Sequence, residues 1–201
     1  MDWRAPDKPR EAYIQMLAPL DHGNYVIQSK LDGYACVISF DGKTITAKSR
    51  HNISLPVHQS ILDEFKELNI PTPWMLNGEW MKLRAGLTEQ FYLFDVMYID
   101  DKWQGQKDYI DRWNWLVDNI KTSSLIQLVR TGYHDFVKFM EQCIDDPLTE
   151  GVVIKHKKSK LIGSLKDSKI NPQWIKVKHR AGVGGDTVLI TKQQLADLCI
   201  K

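Results

Sequence analysis

Cysteine is scarce in this chain of 201 residues, which has only Cys36, Cys143 and Cys199. Their number is odd and they lie far apart, so no pair has the spacing of a zinc site. Cys36 and Cys143 also lie in apolar stretches, where cysteine acts as a small apolar residue. We therefore expect a reducing, intracellular setting.

Long apolar runs are absent as well. No stretch approaches the length needed to cross a membrane, and the N-terminus lacks the apolar core of a signal peptide, so we expect no membrane partner. A large net charge is also missing, since the chain has 27 Lys and Arg residues and 25 Asp and Glu residues. The net charge therefore argues neither for nor against binding of nucleic acid. Basic residues are nevertheless concentrated at 155–160 and 176–180.

What is present is a mixed α and β pattern with enough apolar content, 43%, for a real core. Asp41 and Gly42 separate two strand-like runs and predict a hairpin. Helices alternate with strands later, which favours an α+β fold with antiparallel sheets over a doubly wound fold. Strands are predicted at 34–39, 43–48, 74–81, 91–99, 125–129, 151–155 and 174–178, and helices after Pro56, at 110–120 and at 136–140.

The C-terminal end differs in pattern. The glycine-rich run 182–185 interrupts the chain before a last short strand and an amphipathic tail at 193–200. We therefore predict a main domain at 1–180 and a C-terminal tail at 181–201.

Lys30, Asp32 and Gly33 form the most informative cluster of the sequence. Residues two apart on an extended chain point to one side, so Gln28, Lys30 and Asp32 share a face, and Gly33 permits a sharp turn. A lysine amine is a nucleophile when it is uncharged, a state that neighbouring positive charge favours. Lys30 is a candidate nucleophile, and Gln28 a candidate reader of a base edge.

Two lysines near the other end of the chain complement this cluster. Lys176 and Lys178 share one face of a predicted strand, and two ammonium groups that converge need an anion such as a triphosphate. Each pattern also has a plain structural interpretation: Glu79 can be an edge-strand carboxylate, Phe94 a core residue and the lysines a solvated face. The order along the chain (lysine, arginine, carboxylate, aromatic, carboxylate, paired lysines) is far more specific than any single element.

In this order of motifs the chain resembles the nucleotidyltransferase domain of ATP-dependent polynucleotide ligases, above all DNA ligases. That superfamily also includes RNA ligases and mRNA capping enzymes. The resemblance extends from Met16-Leu17-Ala18 to Lys178. The motifs that carry it are Lys30-Leu31-Asp32-Gly33, Ser49-Arg50, Asn77-Gly78-Glu79, Phe94-Asp95, Glu150-Gly151-Val152-Val153-Ile154-Lys155 and Trp174-Ile175-Lys176-Val177-Lys178, with Asp111-Arg112 similar to the connecting segment.

The resemblance implies a role for each matching residue. Lys30 would become adenylated by ATP, Phe94 would stack on adenine, and Glu150 with Asp32 would hold Mg²⁺. The expected nucleotide contacts are Gln28, Lys30, Asp32, Gly33, Arg50, Glu79, Phe94, Lys176 and Lys178. When the basic stretches are added, the expected DNA contacts are Arg50, Lys155, Lys157, Lys158, Lys160 and Arg180.

Two departures from the family pattern stand out. Ala35 occupies a position where ATP-dependent DNA ligases usually carry arginine, although Glu150-Gly151 and the spacing of Trp174, Lys176 and Lys178 favour the ATP type. The sequence after Lys178 is too short for the C-terminal OB domain of the family and its basic sixth motif. We therefore expect a shortened form, a naturally minimal ligase or half of an assembly, with slow self-adenylation.

The sequence thus predicts two packed, mainly antiparallel sheets flanked by helices, with the nucleotide in the cleft between them and no OB domain. The predicted function is sealing of nicked duplex DNA by a monomeric, ATP-dependent and Mg²⁺-dependent DNA ligase through a lysyl-AMP intermediate. One alternative is an RNA ligase of the same superfamily. Another is a non-catalytic nucleotide-binding or DNA-end-binding module, against which the joint presence of Lys30, Glu79, Glu150, Lys176 and Lys178 argues.

Overall fold

The computed structural model describes residues 1–17, 19–20, 23–82, 88–181 and 189–197. Within these ranges the strands are β1 (Lys8–Glu11), β2 (Tyr25–Leu31), β3 (Tyr34–Phe40), β4 (Ile45–Ser49), β5 (Trp74–Met81), β6 (Gln90–Ile99), β7 (Lys102–Trp103), β8 (Ile126–Leu128), β9 (Thr131–Gly132), β10 (Thr149–His156) and β11 (Ile170–Lys178). The helices are α1 (Gln59–Lys66), α2 (Tyr109–Asn119), α3 (Phe136–Asp145) and α4 (Lys192–Ala196), with a short 3-10 turn at Ile14–Met16.

The chain divides into two compact units, and unit 1 comprises Met1–Lys8, Gly33–Val129 and Lys160–Lys169. Its six-stranded sheet has the order β4–β3–β5–β6–β7, and β8 pairs in parallel with β6. All other pairings in this sheet are antiparallel. Helix α1 packs Phe65 edge-on against Phe91 of β6, with ring centroids 5.1 Å apart, which anchors the helix to the sheet.

Unit 2 comprises Pro9–Asp32, Arg130–Ser159 and Ile170–Lys201, and its five-stranded sheet has the order β1–β11–β10–β2–β9. One face of this sheet is apolar because alternate residues point to the same side. Helix α3 covers that face with residues spaced three and four apart, and Leu195 of α4 joins the same core. The core side chains are Ile14, Leu17, Ile27, Phe136, Phe139, Met140, Cys143, Val152, Ile154, Ile175, Val177 and Leu195.

The alternation that points apolar side chains of the unit 2 sheet into this core points the residues between them to the opposite face. In β2, Ile27 is buried in the core and Lys30 is on the opposite face. In β11, Ile175 and Val177 lie in the core, so Lys176 and Lys178 project from the opposite face. The fold therefore places the predicted lysines of both strands on one surface of one sheet.

The predicted α+β class with mainly antiparallel sheets is confirmed, and no OB barrel occurs among the described strands. The hairpin at Asp41 and Gly42, the helix after Pro56 and the long buried strand at 91–99 are all present. The structure adds β1, β2, β7 and β9, which were not predicted. Ala18, Cys199, the glycine-rich break at 182–185 and the start of the strand predicted after it lie outside the described residues. No helix in the described ranges combines the length and apolarity needed to cross a membrane.

Candidate active site

Glu150 occupies a β-bulge opposite Lys30. The register pairs Thr149 with Leu31 but Gly151 with Lys30, so β10 carries one extra residue at Glu150. Such a bulge redirects a side chain, and here it turns the carboxylate toward Lys30. Gly151 has a φ of +154°, and a Cβ at this position would contact the Val177 carbonyl and lie 2.7 Å from the Cα of Lys178. The bulge thus requires glycine after Glu150.

The Glu150 carboxylate lies between two ammonium groups. Lys30 Nζ donates a hydrogen bond to Oε1, and Lys178 Nζ lies 2.9 Å from Oε2. Burial acts to raise the pKa of Glu150, but Lys30 and Lys178 outweigh it and hold the pKa below its ordinary value. The structure therefore unites three predicted site residues from β2, β10 and the end of β11 around one ionised carboxylate.

Lys176 lies next to this group on the same face of β11. Its ammonium group is 3.0 Å from the Glu11 carboxylate at the end of β1. The hydrogen bond from Lys176 lowers the pKa of Glu11. Nothing in the sequence pattern singled out Glu11, because the strand that carries it was not predicted.

Asp32 and Gln28 lie on or beside the same strand, β2, in different surroundings. Asp32 is buried, and its carboxylate lies 3.8 Å from the Arg180 guanidinium. Gln28 is only 2% exposed, and its amide nitrogen donates to the Thr131 hydroxyl at 3.0 Å. That contact gives Gln28 a structural partner in β9, and its predicted reading of a base remains a prediction.

The predicted metal ligands are two carboxylates, Glu150 and Asp32. Among the described residues, no group of three or more acidic, histidine or cysteine side chains has the arrangement of a metal site. Two carboxylates still suit Mg²⁺, which in nucleotide-binding proteins takes one or two carboxylates and completes its shell with phosphates and water. The donor set therefore fits a metal that arrives with a nucleotide.

In unit 1, Gly33 and Glu79 are neighbours. A Cβ at Gly33 would lie 2.7 Å from the Trp80 carbonyl oxygen and 2.9 Å from Cγ of Glu79. Glu79 lies on β5, an interior strand bordered by β3 and β6, and its side chain is half-buried. It is therefore not on an edge strand, and Gly33 is required for the close approach of β3 to β5.

Phe94 lies in a second bulge. The register pairs Asn77 with Asp95 but Gly78 with Leu93, so Phe94 is the extra residue of β6. Its side chain is half-buried, unlike the fully buried Leu93 and Asp95 on either side. Phe94 thus continues the alternation of half-buried and buried side chains that runs from Gln90 to Asp95.

Asp95 anchors this bulge through a buried ion pair with Arg112 of α2. The Nε and Nη2 atoms of Arg112 donate to the two carboxylate oxygens of Asp95 at 2.7 and 3.0 Å, and both side chains are 0% exposed. Burial acts to lower the pKa of Arg112, but Asp95 outweighs this effect and raises it. The sequence marked both positions as parts of motifs, yet it gave no sign that they pair.

The remaining predicted contacts are basic residues in varied surroundings. Arg50 is exposed just after β4, and Lys158 is exposed after β10. Lys155 is only 3% exposed, and its ammonium group lies 4.4 Å from the ring centre of Trp174. Several others have protein partners: Lys157 with the Gly23 carbonyl, Lys160 with Asp108 and Arg180 with the Pro147 carbonyl.

A comparison with known protein families shows to which family the chain belongs. A family model described as RNA ligase matches residues 23–178, well over half of the chain. The chain belongs to the RNA ligase family. The matched range includes all six predicted motifs and both bulges. None of the curated proteins compared matches the chain.

Solved structures of ligases share the fold of this RNA ligase family member. It is similar to a mycobacterial DNA ligase D complexed with ATP and MES, with 18% identity and a TM-score of 0.71 over 89% of this chain and 61% of that one. The ligase domain of LigD from M. tuberculosis has 18% identity and a TM-score of 0.69, over 97% of this chain and 76% of that one. A minimal Lig E DNA ligase has 15% identity and a TM-score of 0.61, over 90% and 70%. The prediction of a ligase nucleotidyltransferase domain is thus confirmed.

Proposed function

We propose that the protein is an ATP-dependent polynucleotide ligase that seals nicks in duplex DNA through a lysyl-AMP intermediate on Lys30. The arrangement of Lys30, Glu150 and Lys178 carries this proposal. It sets a lysine amine beside a carboxylate suited to Mg²⁺ and a cation suited to phosphate. Transfer of a nucleotide to an amine requires these three groups: a nucleophile, a metal ligand and a cation that binds phosphate.

The proposed reaction has three steps. The uncharged amine of Lys30 attacks the α-phosphorus of ATP, so that an N–P bond forms, the bond from that phosphorus to the bridging oxygen breaks, and pyrophosphate leaves while the amine loses a proton to solvent. A 5′-phosphate oxygen then attacks the same phosphorus, which breaks the N–P bond and returns a proton to Lys30. Finally, the 3′-hydroxyl attacks the 5′-phosphate, loses its proton and displaces AMP.

The protein's own side chains would position the nucleotide for the first step. Lys176 and Lys178 would hold the α-phosphate, Glu79 the ribose and Phe94 the adenine ring, and Arg50 would contact the nucleotide and the nucleic-acid end. Glu150 and Asp32 would hold Mg²⁺, which supplies positive charge where negative charge develops at phosphorus. Because transfer at phosphorus is mainly positioning and charge stabilisation, the bulge at Glu150 is important for this step: it turns the carboxylate toward Lys30.

DNA is the substrate that we propose, because two of the solved structures with the same fold are described as DNA ligases. An RNA ligase is the second candidate, supported by the description of the matching family. The two candidates differ in the strands that are joined, and the first two chemical steps are the same for both.

A sealing assay separates the two candidates. The protein is incubated with ATP, magnesium and a nicked duplex whose 5′-phosphate is labelled, with the 3′-hydroxyl strand made of DNA in one arm and RNA in the other. We expect faster sealing of the DNA arm. Faster sealing of the RNA arm would favour an RNA ligase, and transfer of AMP to neither 5′-phosphate would contradict a ligase function. A Gln173→Glu variant is a suitable control for nonspecific effects, since Gln173 is exposed on β11 and outside the proposed site.

A further inference from the structure

His179 follows β11 directly, and both its backbone and its ring have partners in unit 2. Its backbone N–H donates to the Glu150 carbonyl at 3.0 Å. Its own carbonyl accepts from the Leu189 N–H at 2.7 Å and from the Ile190 N–H at 3.1 Å. Its ring nitrogen Nε2 lies 3.4 Å from the Thr149 hydroxyl oxygen. No predicted motif includes His179, yet its position is fixed from the strand, the tail and the ring side.

The ring of His179 lies on the side of the sheet opposite to the site. Val177 points into the unit 2 core and Lys178 projects from the other face, so alternation turns His179 back toward the core. His179 is only 5% exposed. Thr149 is fully buried and is the first residue of β10, directly before Glu150. The contact between ring and hydroxyl therefore joins the chain neighbours of the two site residues.

Thr149 is itself anchored to helix α3. Its hydroxyl donates to the Cys143 carbonyl, in the last turn of that helix, at 2.5 Å. The ring of His179 also hydrogen-bonds to backbone groups of Cys143 and Thr149. Because Cys143 belongs to the unit 2 core, these contacts connect the end of β11 to a helix that packs in that core.

The backbone contact of His179 continues the pairing of β10 with β11 past its last regular pair. That last pair is Gly151 with Lys178, and the next residue of β10 is the bulged Glu150. A bulge leaves its extra residue outside the regular ladder, so the Glu150 carbonyl needs another partner, and the His179 N–H supplies it. The position of the Glu150 main chain thus depends on where His179 is held.

We propose that His179 is a positioning residue for nucleotidyl transfer, which holds Glu150 and Lys178 in the arrangement that Lys30 requires. The inference rests on the proposed function and adds a residue outside the motifs. In this role His179 touches no reacting atom and moves no proton. It acts through the main chain of its two neighbours in space and sequence, Glu150 and Lys178, whose side chains lie 2.9 Å apart.

Two substitutions separate positioning from packing. His179→Leu fills the space of the ring and removes its hydrogen bonds, whereas His179→Gln keeps a polar group that can donate and accept. The rate of lysyl-AMP formation is measured at saturating ATP and magnesium, from intact mass over time. Since a misplacement of about 1 Å can cost about a hundredfold in rate, His179→Leu should slow this step by about ten- to a hundredfold, and His179→Gln by only about threefold. A residue needed only for packing would show the opposite order.

His156, at the far end of β10, is the matched control. Its ring packs edge-on against Tyr25 of β2, with centroids 5.0 Å apart, and accepts from the Lys158 N–H at 3.1 Å. His156→Leu therefore also removes a ring with a contact to the next strand and a hydrogen bond to the backbone, and it should form lysyl-AMP at the parent rate. Urea denaturation checks that each variant is folded under the assay conditions. Equal slowing in His156→Leu and His179→Leu would overturn the inference, and so would His179→Gln that is no faster than His179→Leu.

Amide hydrogen exchange tests the same contact without catalysis. The amide of residue 179 donates to the Glu150 carbonyl, and a backbone amide remains there in both variants. Because a hydrogen bond contributes modestly to local stability, protection of this amide in His179→Leu should fall about fivefold further than protection of amides in the middle of β10 and β11. An equal fall at all of these amides would show only a loss of global stability and would overturn the inference.

The two measurements together distinguish failure of this inference from failure of the proposed function. If the parent protein takes AMP and His179→Leu takes it equally fast, the proposed function stands and the role of His179 is wrong. If the parent protein takes no AMP, the proposed function fails, and the role of His179 in nucleotidyl transfer fails with it, whatever the exchange result.

Discussion

Lys30 donates a hydrogen bond to Glu150, across the bulge that β10 forms opposite β2. The other oxygen of Glu150 lies 2.9 Å from Lys178 Nζ, so one carboxylate fixes the positions of two ammonium groups. Gly151 makes this possible by accepting a backbone conformation that a side chain would obstruct. The proposed function depends on this contact more than on any other.

Acid should weaken the fold partly through Glu150. Its pKa in the folded protein lies below the value of about 4.3 for an unfolded chain, so its ion pairs contribute stability above that pH and lose it as pH falls through the folded-state pKa. In Glu150→Gln this contribution is absent at every pH. The difference in unfolding free energy between the two proteins, from urea denaturation, should shrink from pH 6 to pH 3. A difference independent of pH would contradict the role of Glu150 as an ionised partner.

The buried pair of Asp95 and Arg112 should stabilise unit 1 strongly. Asp95→Asn leaves Arg112 buried without its counter-charge, and loss of one partner of such a pair costs about 3–5 kcal/mol. Asp63→Asn, which removes an exposed partner of Lys66, is the matched control and should destabilise the protein far less. The measurement is the free energy of unfolding in urea. A similar decrease in the free energy of unfolding in the two variants would show that the buried ion pair contributes no more to stability than the exposed one.

Phe94 should contribute to ATP binding through its ring. Stacking on an aromatic side chain is worth about 1–3 kcal/mol per base, so Phe94→Ala should weaken ATP binding by about ten- to a hundredfold and Phe94→Tyr far less. Circular dichroism checks that both variants are folded. A folded Phe94→Ala protein with unchanged ATP affinity would make Phe94 a packing residue only.

Lys157 and Lys158 should contribute to nucleic-acid binding through phosphates. The slope of log affinity against log salt is about −0.9 for each phosphate neutralised on duplex DNA, so the double variant to glutamine should flatten it by about 1.8. Lys43→Gln combined with Lys121→Gln, at two exposed lysines elsewhere, is the control for loss of net charge. Lys160 is left intact because it already pairs with Asp108 at 2.6 Å. An unchanged slope in the Lys157 and Lys158 variant would place the DNA surface elsewhere.

Most of the fold could be predicted from the regular alternation of apolar and polar residues and from the order of the motifs. The hairpin at Asp41 and Gly42 and the long strand 91–99 follow from local patterns that tertiary packing did not override. The strand β1, Lys8–Glu11, was missed because its residues are polar or partly exposed and show no apolar alternation. Its position is fixed by pairing with β11, a contact between residues far apart in sequence.

The site was predictable in composition but not in geometry. The sequence marked Glu150 and Phe94, yet both lie in bulges, which depend on the register of two distant strands. Gln28 illustrates the converse: alternation placed it on the face of Lys30, but Thr131 of β9 binds its amide. Asp95 and Arg112 were noted as parts of motifs, and only the packing of α2 on β6 reveals their ion pair.

The most direct test of the proposed function is the mass of the intact protein after incubation with ATP and magnesium. We predict that the parent protein gains the mass of one AMP and that peptide mapping locates this AMP on Lys30. Added pyrophosphate should remove the AMP again. Lys30→Ala should gain nothing, while Lys157→Gln should gain AMP as the parent does. AMP retained on denatured Lys30→Ala, or a parent protein that stays unmodified, would contradict the proposed function.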